Sequence, residues 1–387
     1  KKVLLRVDFN VPIQDGKIRD TSRIEATLPT ISYLLEQGAI LILMSHLGRP
    51  KGKPNFSDSL APCRDALQKL LKKPVLMAPD CVGKEVQTIV EKMVPGEILL
   101  LENLRFHPEE ENPSLSSHFA EQIAQLGQCY VNDAFGAAHR SHTSITQLPT
   151  FFPGQVAAGF LLKKEIDYLD QVTKYPKHPF CVILGGAKIS TKLPLVQALL
   201  KKTDRLLLGG GMAFTFLKAA GYKIGNSLYE PEYEQKAKEC LQTAGKRLML
   251  PVDLLVASAI SQDAKIAYVS VEEGVPEKFY GVDIGPKTIA IYRQEILSAK
   301  TLFWNGPLGV FEILAFSQGT HTIARACGET QGITIIGGGD SLSALRESGA
   351  EARCSHLSTG GGASLEYIEH GTLPGVEALE LNGTHMI

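Results

Sequence analysis

No apolar run in this 387-residue chain approaches the roughly 18 residues that a bilayer-crossing helix requires. Blocks of like charge and low-complexity tracts are also missing. These absences exclude a protein built on membrane-spanning helices and one that is disordered. Neither sign of charge is in excess, with 40 Lys plus Arg against 41 Asp plus Glu, so whole-molecule attraction gives no reason to expect nucleic acid or an anionic membrane as partner. Any hold on an anion has to come from local clustering. The 7 cysteines form no C-x-x-C pair and have no histidine at zinc spacing, which reads as free thiols in a reducing cytosol. Walker A and G-x-G-x-x-G signatures are absent from the glycine-rich turns, which argues against a P-loop enzyme and a common dinucleotide binder.

The 44% hydrophobic content and 21% charge are those of a globular chain, and the length points to two domains. The sequence opens on Lys1-Lys2 rather than Met and runs straight into the strand-like Val3–Val7. A trimmed or omitted leader is the expectation, with no secretory signal and a cytoplasmic location.

Short apolar runs separated by longer stretches of helical periodicity recur from end to end, the pattern of parallel βα units. They are Val3–Val7, Ile40–Met44, Ile98–Leu101 and Cys129–Val131 in the first half. In the second half they are Phe180–Leu184, Leu206–Leu208, Leu248–Leu250, Thr301–Trp304 and Ile333–Ile336. The predicted fold is α/β, with two doubly wound, Rossmann-like parallel-sheet domains joined by a hinge helix. Ile24, Leu28, Ile31 and Leu34 predict a helix kinked at Pro29 and capped by Gly38; Ser59 is the expected N-cap of a second one. The boundary falls in a charged helix and Pro-containing linker over 161–178, between domains at 1–160 and 179–372.

Ligands in open parallel sheets bind beyond the carboxyl ends of the strands. First-half strands end in RVDFN (Arg6–Asn10), SHLGRP (Ser45–Pro50), ENLRF (Glu102–Phe106) and NDAFGAAHRSH (Asn132–His142). Arg49, Arg105 and Arg140 lie in these loops and Arg23 at a neighbouring helix start, joined by His46, His139 and His142. A lone arginine is ordinarily a solvated surface side chain. This set, all at strand ends, predicts an anion pocket, because guanidinium groups grip phosphate and carboxylate bidentately. No H-E-x-x-H or carboxylate pairing supports a metal or a catalytic base at His46 or His139. His107, His118, His178 and His321 read as surface or satisfied core residues.

Second-half runs lead instead into glycines: LGGAKISTK (Leu184–Lys192), LLGGGMAF (Leu207–Phe214), IIGGGDS (Ile336–Ser341) and STGGGAS (Ser358–Ser364). Glycine turns that open helices expose backbone N–H groups suited to phosphate. Lys188 and Lys192, at i and i+4, are expected on one face of a first helical turn, either reaching a phosphate chain or facing solvent. Asp340 suits either a phosphate-bound Mg²⁺ or an N-cap.

RVDFNVP, MSHLGRP, LLENLRFH, YVNDAFGAAHR, LGGAK, GGGMAFTFLK, WNGPLGVFE, IIGGGD and STGGGASLE stand in an order and spacing that resemble the phosphoglycerate kinase family from about Val3 to Leu379. The resemblance implies reversible phosphoryl transfer between ATP and 3-phosphoglycerate, by in-line transfer after hinge closure. It implies an acid-binding first domain, with a tail over 373–387 folded back onto it, and a nucleotide-binding second domain. Substrate contacts would come from Asp8, Phe9 and Asn10 and from His46, Leu47, Gly48 and Arg49. Arg23, Arg105 and Arg140 would hold its phosphate or the group in transit. The nucleotide side would be Lys188, Lys192, Gly281, Asn305, Glu312, Gly338, Gly339, Asp340 and Ser341, with Glu312 on the ribose and Asp340 towards Mg²⁺ of Mg·ATP or Mg·ADP. Arg23, Lys188 and Lys192 are the expected catalytic residues, and a monomer is implied. Another acyl-phosphate-forming carboxylate kinase is the alternative reading. A solute-binding protein would need export, and a dehydrogenase would need the missing fingerprint.

Overall fold

The computed structural model describes residues 1–383. The chain divides into two compact units, Lys1–Asp167 with the C-terminal stretch from Thr372, and Tyr168–Gly371. The division falls inside the helix Phe160–Thr173.

Unit one contains β1 (Lys2–Arg6), the hairpin β2 (Ile13–Gln14) and β3 (Lys17–Ile18), then β4 (Ile40–Met44), β5 (Leu76–Met77), β6 (Ile98–Leu100), β7 (Cys129–Asn132) and β8 (Val156–Ala158). Six of these form a parallel sheet in the order β5-β6-β4-β1-β7-β8. Its inner strands read as unbroken apolar runs because both their faces are buried. The helices Ser22–Glu36 and Ala61–Leu71 send Ile24, Ile31 and Leu67 into a core with Val3, Leu5, Leu41, Leu43 and Leu100.

The first helix runs on across Pro29. It ends where Gly38, at φ +71°, donates to Leu35 O at 2.9 Å while Ala39 N–H reaches Leu34 O at 3.1 Å. Leu60, not Ser59, occupies the N-cap position of the second helix and makes no side-chain capping bond, although Ser59 Oγ accepts from Ala61 N–H at 3.2 Å. The Glu102 carboxylate accepts from Ser59 Oγ at 2.8 Å and from Leu60 N–H at 2.9 Å. The helix Pro374–Asn382 packs in this same unit, where Gly375 N–H donates to Ala138 O at 2.8 Å and Gly154 N–H to Asn382 O at 2.7 Å. Residues 384–387 of the expected tail lie outside the described residues.

Unit two contains β9 (Phe180–Leu184), β10 (Arg205–Leu208), β11 (Leu248–Met249), β12 (Asp253–Ala257), β13 (Ile266–Ser270), β14 (Tyr280–Ile284), β15 (Thr301–Asn305), β16 (Ile333–Gly337) and β17 (His356–Leu357). Its 6-stranded parallel sheet has the order β11-β10-β9-β15-β16-β17, so the chain builds outward from β9 and then returns to that strand's other side. Fully buried Trp304 on β15 sits in the core with Ile183, Leu207, Leu302 and Ile336. A separate antiparallel sheet, β13-β12-β14, was not expected from the apolar runs. Pro251 ends the run at 248–250 just before the fully buried β12, and β13 is mostly exposed, so the partner of β12 carries no apolar run. Among the described residues no helix is long and apolar enough to cross a membrane.

Candidate functional site

In each sheet the chain reverses its direction of growth beside the first strand, and in open parallel sheets ligands bind beyond the carboxyl ends of such a pair of strands. In unit one the pair is β1 and β7. The loop after β7 comes so close to the loop after β1 that a Cβ on Gly136 would lie 2.5 Å from Asp8 Oδ2 and 3.9 Å from Arg23 Nη1. Arg23, in the first turn of its helix, donates to Asp8 Oδ2 at 2.8 Å. Asp8 Oδ1 accepts from Asn10 N–H at 3.1 Å, and Asn10 Oδ1 accepts from Gly48 N–H at 3.0 Å. Arg105 donates to Gly48 O at 2.7 Å, so the loops after β1, β4 and β6 are tied together.

Arg105 is buried; its Nε stands 3.0 Å from Glu111 Oε1 as an ion pair, and its Nη2 has no hydrogen-bond partner among the described residues. Burial holds its guanidinium below the usual range, and Arg140 and Arg6 add repulsion against the pull of Glu111. His46 is buried and held well below the ordinary histidine range by that burial and by Arg6, Arg105, His142 and Arg140. His142 is pushed down to about 3, first by burial and then by Arg6, Arg105 and Arg140. Both imidazoles are therefore neutral near pH 7, and the positive charge of the cluster resides on its arginines. Arg49 is exposed and makes no ion pair among the described residues. The side chains of Phe9 and Leu47 lie in the core, so what they bring to these loops is backbone shape. Phe9 N–H is held by Ser45 Oγ at 2.8 Å and Leu47 N–H by Asn103 Oδ1 at 3.2 Å.

In unit two the pair is β9 and β15. Gly306, at φ +93°, packs so tightly that a Cβ there would lie 2.3 Å from Gly185 O, which explains the glycines at both strand ends. Residues 185–192 form bends and turns, not the expected helical turn; the helix starts at Leu193, with Lys192 as its N-cap and Pro194 in its first turn. Lys188 and Lys192 thus do not share a helix face. Lys188 is exposed near Glu230, whose carboxyl is lowered by hydrogen bonds from Ser190 and by Lys188 itself, against the opposing effect of burial. Lys192 hydrogen-bonds Asn305 Oδ1. Burial lowers its ammonium to about 8, with Asp340 pulling the other way.

A crevice of about 270 Å³ is lined by Gly186, Lys192, Asn305, Gly338, Gly339, Asp340 and Ser341. It shares Gly186, Ala187, Pro307 and Asp340 with a more apolar cleft of about 330 Å³ lined by Phe214, Gly281, Leu308 and Glu312. Gly281 is required there, because a Cβ would stand 2.0 Å from the Phe214 ring. Gly338, at φ +91°, caps the helix Gly339–Glu347, and Asp340 lies in that helix's first turn without a capping bond. Of the two readings of Asp340, the N-cap is thereby removed. Buried Ser341 accepts from Gly306 N–H at 2.6 Å and fastens the ends of β15 and β16 together.

A family model described as phosphoglycerate kinase matches residues 1–371. The chain belongs to the phosphoglycerate kinase family. It is 50% identical over 382 residues to the phosphoglycerate kinase of Moorella thermoacetica, covering 98% of this chain and 96% of that one. To that of Chloroherpeton thalassium it is 49% identical over 385 residues, with 98% and 96% covered. Among solved structures it is similar to phosphoglycerate kinase from Coxiella burnetii, at TM-score 0.90 and 39% identity over 99% of this chain and 97% of that one. The enzyme from Pyrococcus horikoshii matches at TM-score 0.83 and 31% identity, over 99% and 96%.

Sequence reasoning passed over several residues that build the site. Arg6 is fully buried at the end of β1 and pairs with buried Glu110 at 3.7 Å. The available signal was an arginine closing an otherwise apolar strand. Ser227 Oγ accepts from Gly281 N–H at 2.9 Å, and buried Asp283 lines the apolar cleft. Nothing in their local sequence marks either. The four histidines read as solitary meet acidic partners: His107 Asp80, His118 Glu121, His178 Asp204 and His321 Glu347.

Proposed function

We propose that the chain reversibly transfers a phosphoryl group between ATP and 3-phosphoglycerate, giving ADP and 1,3-bisphosphoglycerate, as a cytoplasmic monomer of glycolysis. The observation that carries this reading is the occurrence of arginine-bearing strand-end loops in one unit and glycine-walled clefts in the other, in a chain of this family. The 7 free cysteines suit a reducing compartment.

The nucleophile is a carboxylate, ionised near neutral pH because its unperturbed pKa is about 3.5 to 4, so no general base is needed. Catalysis then consists of positioning and of neutralising the charge on the group in transit. In this reading Asp8, Asn10 and the His46–Arg49 loop orient the acid, while Arg23, Arg105 and Arg140 hold its phosphate or the moving phosphoryl group. The apolar cleft receives the nucleoside, with exposed Glu312 reaching the ribose. Gly338, Gly339, Lys192 and Asn305 meet the phosphates, and exposed Lys188 is free to join them.

The donors present fit a magnesium-bound nucleotide. Asp340 offers an exposed carboxylate oxygen, borders both clefts and makes no ion pair among the described residues. Magnesium would neutralise charge on the phosphate oxygens. Closure of the units about residues 160–178 would bring acid and nucleotide together and exclude water. Small-angle scattering without compaction when both ligands are present would count against that closure.

The direct test mixes the protein with Mg·ATP and 3-phosphoglycerate and traps the acyl phosphate with hydroxylamine. Hydroxamate formation with acid-dependent ADP release is expected. Hydroxamate only with a different carboxylic acid would favour another acyl-phosphate kinase instead.

A further inference from the structure

Behind the cationic loops of unit one lies a buried polar group to which the chemistry above assigns no role. Arg6 Nε donates to Ser144 Oγ at 2.8 Å. Ser144 in turn donates its hydroxyl to Glu110 Oε1 at 2.6 Å and its backbone N–H to Glu110 Oε2 at 2.9 Å. Arg6 and Glu110 are fully buried, so the carboxylate supplies the countercharge that a guanidinium there requires. The guanidinium makes two further contacts: Nη1 donates to Val7 O at 2.5 Å, and Nη2 stands 3.2 Å from Nδ1 of His46.

That last contact has one reading. A guanidinium carries only donors and stays protonated, so His46 Nδ1 must accept. The ring's single proton is then on Nε2, which has no hydrogen-bond partner among the described residues. The charged and titratable groups facing His46 are Arg6 at the end of β1, Arg105 after β6, and Arg140 and His142 after β7. All disfavour a second proton on the ring, and burial disfavours it further.

We propose that Glu110, Ser144 and Arg6 are positioning residues that lock His46 in its Nε2–H tautomer, so that it presents a neutral N–H donor to an anionic group of the carboxylic acid. The substrate half of this rests on the function proposed above. A neutral donor adds a directional bond to a site already rich in charge, and it keeps acid binding independent of His46 protonation across the neutral range.

Long-range proton–nitrogen NMR of the histidine side chains in the full chain, over about pH 5.5 to 8.5, reads the tautomer without any assay. His46 is expected to show the Nε2–H pattern throughout with no protonation midpoint. An Nδ1–H pattern, averaged nitrogens or a midpoint near the ordinary value of about 6.5 would overturn the lock. Saturating 3-phosphoglycerate should then move the Nε2 proton; a bound acid that leaves it unmoved overturns the donor role. Arg6→Lys, which keeps the charge and loses the fork, should populate the Nδ1–H form and raise KM for the acid several-fold with KM for ATP unchanged. If that variant does not fold, the spectra of the parent decide. Calorimetry showing no acid binding at all would remove the proposed function and the donor role together, while the tautomer spectrum still decides the lock.

Discussion

In the first unit the loops at the strand ends carry arginine side chains, and buried Glu110 stands against Arg6 to offset its charge. In the second the strand ends lead into glycine turns, with Lys192 and Asp340 the charged groups bordering the crevice of about 270 Å³. In the proposed reading the difference follows from what each surface has to recognise. A small acid offers a few charged oxygens, which forked donors match in number and direction. A nucleotide offers a chain of phosphates and an apolar base, which bare backbone at helix starts and an apolar cleft accommodate together.

Substitutions that respect this division should break one half and spare the other. The largest effect is expected from Arg23→Ala, which removes a donor and leaves Asp8 without its ion-pair partner. Turnover should fall on the order of 100- to 1,000-fold, with ATP affinity by calorimetry nearly unchanged. Equal kinetics in mutant and parent would remove Arg23 from the chemistry. Lys192→Ala comes next, with kcat/KM for ATP falling about 10- to 100-fold and acid affinity retained. An unchanged value would take that ammonium out of the site. Gly281→Ala should act through shape alone: its Cβ collides with Phe214, so the cleft deforms at a cost of about 1 to 3 kcal/mol. KM for ATP should rise while KM for the acid stays, and a normal KM for ATP would remove Gly281 from the cleft that matters.

Smaller and opposite effects should show in the pH dependence of stability. His142 is held at about 3, so it stays neutral while its unfolded counterpart gains a proton; its contribution to stability is lost as pH falls below about 6.5 towards 3. Asp283 is pushed up to about 7 by burial, so it keeps a proton that the unfolded carboxyl has given up near 3.9. Stability on its account falls as pH rises from about 4 to 7. Each slope is at most about 1.4 kcal/mol per pH unit. Relative to the parent, the melting temperature of His142→Asn should improve as pH drops, and that of Asp283→Asn as pH climbs. Flat differences would show that neither group is perturbed.

The two sheets and the contrast between their loops were legible because both announce their strands as apolar runs and their loop chemistry as whatever follows. Arginine and glycine are easily seen there. Three features stayed hidden, each for a physical reason. Arg6 is part of a strand, and only tertiary packing against Glu110 and Ser144 shows that it points inward. The i, i+4 spacing of Lys188 and Lys192 implied a shared helix face, but the turn after Gly186, at φ +106°, delays the helix to Leu193. The β13-β12-β14 sheet has too little burial on β13 for periodicity to register.

The measurement closest to the central claim is backbone amide NMR of the whole protein titrated with each ligand alone. With 3-phosphoglycerate, shifts should centre on residues 8–10, 46–49, 105 and 136–142 of unit one. With Mg·ATP, they should centre on 185–192, 281, 305–312 and 338–341 of unit two. A ligand whose shifts centre on the other unit would contradict the account.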